Sequence, residues 1–227
     1  MALSLELGPA RVLFTERADG DFRGDQGSAG PGGIEGLAPG MAWHTAHQVH
    51  GSGVVTVDDR RRSGGAGEAD ALVTTQAQRA VAVRTADCAP VALASPEGVV
   101  AVVHAGWQGL LAGVVAAAVD HLHSLGASSV QAALGPCIHA GCYEFSPHDL
   151  DRVAMRLGDC VRSTTTAGRP ALDVPAAVRS ALDRAGADLV ADVDRCTACD
   201  VEEGGHRWFS HRARGDTGRM ATVVWRP

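Results

Sequence analysis

Residues 79–106 of the chain read RAVAVRTADCAPVALASPEGVVAVVHAG and hold its densest β-type pattern. Runs of Val and Ala end in Asp, Pro, Ser and Gly, which is typical of buried strands bounded by turns. The segment ADALVTT at 69–75 has the same character. We therefore expect these segments to supply the strands of one central sheet.

Helical patterns follow this block. The segment GWQGLLAGVVAAAVDHLHSLGA at 106–127 is rich in Ala and Leu and closes on a glycine, which predicts a helix leaving the sheet. Two more helices are predicted at 146–157 and 173–187, because Ser146 and Asp173 occupy cap positions and a proline follows each of them closely.

Further strands are expected at both ends of the chain and after the first helix. They are ARVLF at 10–14, SSVQAALGPCI at 128–138, WFS at 208–210 and MATVVW at 220–225. The Gly- and Pro-rich stretch from Gly20 to Gly40 is predicted to be a mobile loop. The fold class is therefore α/β (α+β), with residues 1–227 forming a single domain in which helices flank a central mixed sheet.

Composition limits the classes of protein that fit. Hydrophobic residues make up 45% and charged residues 20% of 227 residues, as in ordinary globular domains. A net charge of −6 provides no general field that favours nucleic acid or an anionic membrane. The N-terminus lacks a signal-peptide pattern, and no apolar run is long enough to span a bilayer. We expect a cytoplasmic protein with no nucleic-acid or membrane partner; the oligomeric state stays open, with a monomer favoured.

Three segments place metal-binding side chains next to turns. They are HTAHQVHG at 44–51, RTADCAP at 84–90 and VVHAGWQG at 102–109. His50, Cys88 and His104 would form a tridentate zinc site with a fourth position open, the arrangement of catalytic zinc. The gaps of 38 and 16 residues are too long for a zinc finger.

The residues alone leave alternatives open. Cys88 could be the nucleophile of a metal-free hydrolase with His104 as its base, or the cluster could bind metal without turnover. A multicopper oxidase is disfavoured, because the chain has only one HxH pair, His121 and His123.

Several blocks resemble the signatures of the laccase-domain family, in particular its bacterial peptidoglycan-editing-factor-like members. The blocks are HQVHG, ADALVTT, RTADCAPV, VVHAGWQGLLAGV, LGPCIHAGCYEF, the CT at 196–197 and FSHRARGDTGRMA. The family was first described as polyphenol oxidases and is now regarded as purine nucleoside phosphorylases with adenosine deaminase activity. The resemblance implies a cytotoxic-necrotizing-factor-like fold and one zinc ion on His50, Cys88 and His104. It also implies adenosine, inosine, guanosine and methylthioadenosine as substrates, with phosphate as co-substrate.

The same resemblance suggests further site residues. Asp87 is expected to act as acid or base, and Arg17 to bind phosphate through its forked guanidinium. Cys137 in GPCI is either a catalytic thiol or a packed one. His47 and Arg212 are expected to contact substrate.

Two segments fit the pattern less well. The segment ADGDFRGDQGSAGPGG at 18–33 departs from the family, which usually has a glycine pair and an NLG-type block there. CTAC, with Cys196 and Cys199, is a lone CxxC, for which packing is expected rather than a metal or redox role.

Overall fold

The computed structural model describes residues 2–23, 36–38, 40–60 and 64–227. Most of the loop predicted between Gly20 and Gly40 lies outside the described residues. The strands of the first half are β1 (Leu3–Leu7), β2 (Ala10–Phe14), β3 (Ala42–His47), β4 (Val54–Thr56), β5 (Gly64–Glu68), β6 (Ala71–Thr74), β7 (Arg79–Thr85), β8 (Ala89–Ala94) and β9 (Val100–Ala105). Those of the second half are β10 (Gln131–Leu134), β11 (Arg162–Thr164), β12 (Pro170–Leu172), β13 (Asp188–Asp192), β14 (Val201–Glu202), β15 (Gly205–His206) and β16 (Met220–Trp225).

The helices are α1 (Trp107–Ala112), α2 (Val114–Ser124), α3 (Pro147–Leu157), α4 (Val174–Ala185) and α5 (His211–Arg214). The predicted caps of α3 and α4 are confirmed, since the side chains of Ser146 and Asp173 accept backbone N–H bonds from Asp149 and Ala176. No helix in the described part of the chain is long and apolar enough to cross a membrane.

The strands form two large mixed sheets rather than the single sheet expected. One has the order β1-β2-β16-β7-β3-β5 and the other β13-β10-β8-β9-β6-β4. The continuous run 79–95 divides at residues 86–88, so that β7 and β8 belong to different sheets. Two smaller sheets pair β11 with β12 and β14 with β15.

The sheets and helices make three layers. Val12, Val81 and Val83 of the first sheet pack in one cluster with Ala92 and Val102 of the second. Val91 and Val103 alternate with these residues along β8 and β9. They pack in another cluster with Leu110 of α1 and Leu122 of α2. The central strands are therefore covered on both faces, which explains why their sequences are apolar throughout instead of alternating.

Two predicted elements differ in the structure. The predicted helix at 106–127 is broken at Gly113, whose left-handed φ of 89° ends α1 before α2 begins. The strand predicted for WFS at 208–210 is wrong: these residues make no strand, and Ser210 caps α5 by accepting the N–H of Ala213. Hydrogen bonding of Ser210 to the chain around it competes here with extended pairing.

The connections that pass between the two sheets determine where polar side chains collect. Residues 48–53 lead from β3 in the first sheet to β4 in the second, and residues 86–88 lead from β7 to β8. Both connections lie beside the end of β9. His50 lies in the first connection, Cys88 in the second, and His104 near the end of β9.

Candidate functional site

The structure brings His50, Cys88 and His104 together. One ligand atom from each lies within 4.8 Å of the others. Cys88 Sγ is 3.8 Å from His50 Nε2, close to the separation of about 3.6 Å that a nitrogen and a sulfur have on one tetrahedral zinc ion. The imidazole rings of the two histidines meet edge to face, with centroids 4.7 Å apart. The donor set and its spacing therefore fit zinc.

The backbone is specialised around these ligands. His50 and Asp87 have positive φ angles of 58° and 92°, which are uncommon outside glycine. A Cβ on Gly106 would lie 2.8 Å from His50 Cδ2 and 3.1 Å from Cys88 Sγ. The glycine that follows the His104 strand therefore leaves space that the two other ligands occupy.

Asp70, which sequence reasoning missed, supports the cluster from behind. Its carboxylate is fully buried and accepts a 2.7 Å hydrogen bond from His104 Nδ1. It also accepts the backbone N–H groups of Val49, His50 and Gly51. The hydrogen bond from His104 Nδ1 to Asp70 directs Nε2 of His104 towards the cluster. This is the usual role of a carboxylate behind a metal-binding histidine. An acid immediately before the strand in ADALVTT was the available signal.

Electrostatics couple the cysteine to its neighbours. Burial raises the pKa of Cys88, but the charge of His104 and hydrogen bonds from both imidazoles outweigh it and lower the pKa to about 6. Burial lowers the pKa of His104, yet the Cys88 thiolate and Asp70 raise it to about 9. The site therefore stabilises a thiolate on Cys88 next to a positive charge. That charge can be a bound metal ion or a protonated His104.

The cluster opens into a cleft of about 610 Å³. Of the predicted site residues, the cleft is lined by His47, His50, Asp87, Cys88, His104 and Arg212. Arg23, Arg84 and Arg219 also line it, so a chain with a net charge of −6 has a locally cationic cleft. Such a surface can bind an anion despite the overall charge.

Asp87 and Arg212 are connected in the cleft wall. Asp87 Oδ1 accepts the Thr197 hydroxyl at 2.7 Å, and Oδ2 accepts the backbone N–H of Arg212 at 2.6 Å. The Arg212 guanidinium lies 4.7 Å above the ring of Tyr143, another lining residue. Asp87 therefore fixes the segment that presents Arg212.

Gln48 ties the connection that carries His50 to the end of β7, just before Cys88, and no pattern in the sequence pointed to it. Its side-chain amide donates to Arg84 O at 2.8 Å and accepts the Arg84 N–H at 2.9 Å. This pair of bonds imitates a strand pairing and holds the connection 48–53 against the end of β7.

Arg17 is not among the residues that line the cleft. Its Nη2 donates to Asp216 Oδ2 at 2.6 Å, and its guanidinium stacks 4.4 Å from the centre of the Phe209 ring. Asp216 also accepts the N–H of Ser210 and Nε of Arg214. Arg17 thus anchors the segment that carries Arg212, and the predicted contact with phosphate stays a prediction.

Cys137 also lies away from the cleft. Its side chain is 1% exposed and belongs to the core between the sheet and the helices. Burial raises the pKa of its thiol well above the ordinary value. This placement agrees with the packing alternative and leaves no substrate surface at the sulfur.

The HxH pair makes local structural contacts. His121 Nε2 is 2.6 Å from Thr56 Oγ1, and His123 Nδ1 is 2.7 Å from Ala127 O. Neither histidine belongs to a group of metal-binding side chains in the described part of the chain. The geometry therefore offers no trinuclear copper cluster there.

A solved structure shares this architecture. A solved structure of the Bacillus licheniformis protein YfiH has a TM-score of 0.82 and 24% identity, covering 96% of this chain and 93% of that chain. This likeness shows the shared fold.

Relatives by sequence are closer. A purine nucleoside phosphorylase of Streptomyces coelicolor is 41% identical over 79% of this chain and 73% of its own length. One of Streptomyces griseus is 37% identical over 96% of this chain and 95% of its own length. A protein named adenosine deaminase from an unknown prokaryotic organism is 32% identical over 79% of this chain and 73% of its own length.

The family model described as multi-copper polyphenol oxidoreductase laccase matches residues 35–227. The match includes His50, Cys88 and His104 with the strands that position them, as well as the Arg212 segment. By this match and by these relatives, the chain belongs to the laccase-domain family.

Proposed function

We propose that this chain is a zinc-dependent purine nucleoside phosphorylase that also deaminates adenosine, with phosphate as co-substrate. The observation that carries the proposal is the His50, Cys88 and His104 cluster opening into a cleft lined with arginines. Relatives that cover most of the chain are named purine nucleoside phosphorylase and adenosine deaminase. These names support an enzyme that acts on purine nucleosides such as adenosine, inosine, guanosine and methylthioadenosine.

His50, Cys88 and His104 would hold the zinc ion, and Asp70 would fix the tautomer of His104. When bound, zinc supplies Lewis-acid polarisation and activation of water near neutral pH. The cleft side of the cluster is open for substrate, whereas the Asp70 side is buried. Substrate would therefore approach from the side lined by Asp87 and Arg212.

The chain's own residues would bind and orient the reactants. We assign phosphate to Arg212, because its guanidinium faces the cleft and is held by the Tyr143 ring and by Glu144 O. A planar guanidinium suits bidentate contacts with an oxyanion. Asp87, fixed by two donors at the cleft wall, is the candidate to accept or return a proton through its remaining lone pairs. His47 also lines the cleft and would contact the nucleoside.

A metal-free hydrolase is the second candidate, and the lowered pKa of Cys88 favours it. A thiolate beside an imidazolium is the arrangement of a Cys–His nucleophile. Elemental analysis of the wild-type and Cys88→Ala proteins separates the candidates: a zinc ion that active wild-type protein holds and Cys88→Ala lacks supports the first, and full activity after metal removal supports the second.

A substrate screen tests the function itself. Purified protein is incubated with each of the four nucleosides, with and without phosphate, and products are separated by chromatography. Phosphate-dependent release of free base and phosphate-independent formation of inosine from adenosine are the expected results. If no nucleoside is converted by zinc-loaded protein, the proposed function is wrong.

We also propose a cytoplasmic location and a monomeric state. Cell fractionation and sedimentation of the purified protein test these two points.

A further inference from the structure

A second group of thiols lies outside the cleft. Cys142, Cys196 and Cys199 each present a sulfur atom within 4.8 Å of the other two, and all six cysteines of the chain are free. None of the three lines the cleft. By itself the CxxC pair of Cys196 and Cys199 predicts packing, because no further metal-binding partner lies near it in the sequence. Cys142 is more than fifty residues away along the chain. The fold supplies this third thiol.

The backbone holds this thiol cluster, defined as Cys142, Cys196 and Cys199, in place. Cys142 ends a short 3-10 turn, Ala140–Cys142, and its N–H donates to His139 O at 3.0 Å. The N–H of His139 donates to Cys196 Sγ at 3.4 Å. The CxxC segment closes as a turn in which the N–H of Asp200 donates to Cys196 O at 3.0 Å. Main-chain bonds therefore fix the backbone segments that carry the three sulfurs.

Packing alone does not account for all three thiols. Cys196 is buried, but Cys142 is half-buried and Cys199 is exposed. An exposed cysteine gains little from burial of apolar surface. An N–H donor directed at a sulfur stabilises negative charge on it, as in sites where a thiolate binds metal.

We propose that Cys142, Cys196 and Cys199 form a second metal site, which takes a thiophilic divalent cation such as Zn²⁺ through three thiolates. Sulfur ligands of one tetrahedral zinc ion are about 3.8 Å apart, so sulfurs within 4.8 Å of one another need to approach by about 1 Å at most. Exposed Cys199 can make this movement by rotating its side chain. Its exposure also leaves the fourth position to solvent. Binding releases the thiol protons to water, and no redox change is involved.

The site is placed to stabilise the cleft wall. Thr197, between the two cysteines of the CxxC turn, donates its hydroxyl to Asp87. The guanidinium of Arg214 donates to the carbonyl oxygens of Thr197 and Ala198. A cation that fixes this turn would hold Asp87 and the α5 segment at the same time.

Titration with Cd²⁺ tests the proposal, because cadmium bound to thiolates has a charge-transfer absorption in the ultraviolet. Reduced Cys88→Ala protein is used, since it lacks the cleft thiolate and any such absorption must come from other cysteines. We expect it to bind one Cd²⁺ with strong absorption. Adding Cys199→Ser should weaken binding by about tenfold or more, because loss of an outer-sphere partner alone costs that much. Adding Cys160→Ser, which also removes an exposed thiol, is the matched control and should change nothing.

A second measurement uses the wild-type chain and does not depend on the folding of Cys88→Ala. Thiols are alkylated with and without Cd²⁺, and the modified positions are mapped by mass spectrometry. Protection of Cys142, Cys196 and Cys199 together, with Cys160 still reactive, is expected. Absence of thiolate absorption, equal binding by the Cys199→Ser protein, or unchanged alkylation of the cluster would overturn the proposal. A disulfide within the cluster of metal-treated protein would overturn it as well.

Discussion

Replacing Asp70 by asparagine tests whether the buried carboxylate supports the metal-binding cluster. The Asp70 carboxylate accepts four hydrogen bonds: Oδ1 from His104 Nδ1 and the His50 N–H, and Oδ2 from the N–H groups of Val49 and Gly51. An asparagine side chain has one carbonyl oxygen and one NH₂ group, which only donates. Neither orientation of the amide can therefore accept all four bonds.

The magnitude follows from the orientation that keeps the carbonyl towards His104. The NH₂ group then faces the N–H groups of Val49 and Gly51, which lose their acceptor. At about 1 kcal/mol for each lost bond, the metal-free protein should be destabilised by about 2 kcal/mol. For a chain of this size, that corresponds to a fall in Tm of roughly 4–8 °C. Weaker orientation of His104 should lower zinc affinity by about 10–100-fold.

The assays are thermal unfolding of metal-free protein and competition for zinc with a chelator of known affinity. Asp173→Asn is the matched control, because Asp173 accepts one N–H at the start of α4 and asparagine caps helices equally well. Wild-type stability and wild-type zinc affinity in Asp70→Asn would refute the assigned role. Equal losses in Asp173→Asn would show that the effect does not depend on the four-donor geometry.

The remaining predictions concern the cluster and the cleft wall. Gly106→Ala should weaken zinc binding with little loss of fold, because the new Cβ meets His50 Cδ2 at 2.8 Å. The control is Gly65→Ala, which has nothing within 4 Å of its Cβ and should bind zinc normally. Equal affinities of the two variants in a zinc titration would contradict this. Arg17→Ala should reduce phosphorolysis and deamination to a similar extent, since Arg17 holds the cleft wall through Asp216; a selective rise in the phosphate KM would instead support direct phosphate binding. Burial raises the pKa of Asp216, but hydrogen bonds from the Ser210 backbone and Arg17 outweigh it, so the folded-state pKa is lowered. The resulting stabilisation should be fully present above the unfolded pKa, near 3.8, and be lost progressively as the pH falls from there through the lower folded-state pKa. Comparing the Tm of wild-type and Asp216→Asn proteins at pH 7 and pH 3 measures this, and a Tm difference that does not shrink between pH 7 and pH 3 would contradict it.

Local signals in the amino-acid sequence determine much of this protein. Ser146 and Asp173 predict the starts of two helices because a cap bonds to the backbone within its own turn. The strand blocks and the candidate metal ligands His50, Cys88 and His104 can be read from sequence, since residue type limits which groups can bind zinc. The family resemblance follows from the same blocks.

Only the tertiary structure decided which distant segments meet. Strands buried on both faces lack alternation, so nothing in residues 79–95 shows that β7 and β8 belong to different sheets. The partners of Asp70 and Arg17 depend on contacts across 34 and 199 positions, which no local pattern encodes. For the same reason Arg17 lies outside the cleft and Cys142 joins the CxxC turn. The connections between the two packed sheets, and not the spacing along the sequence, decide which of these residues lie close together.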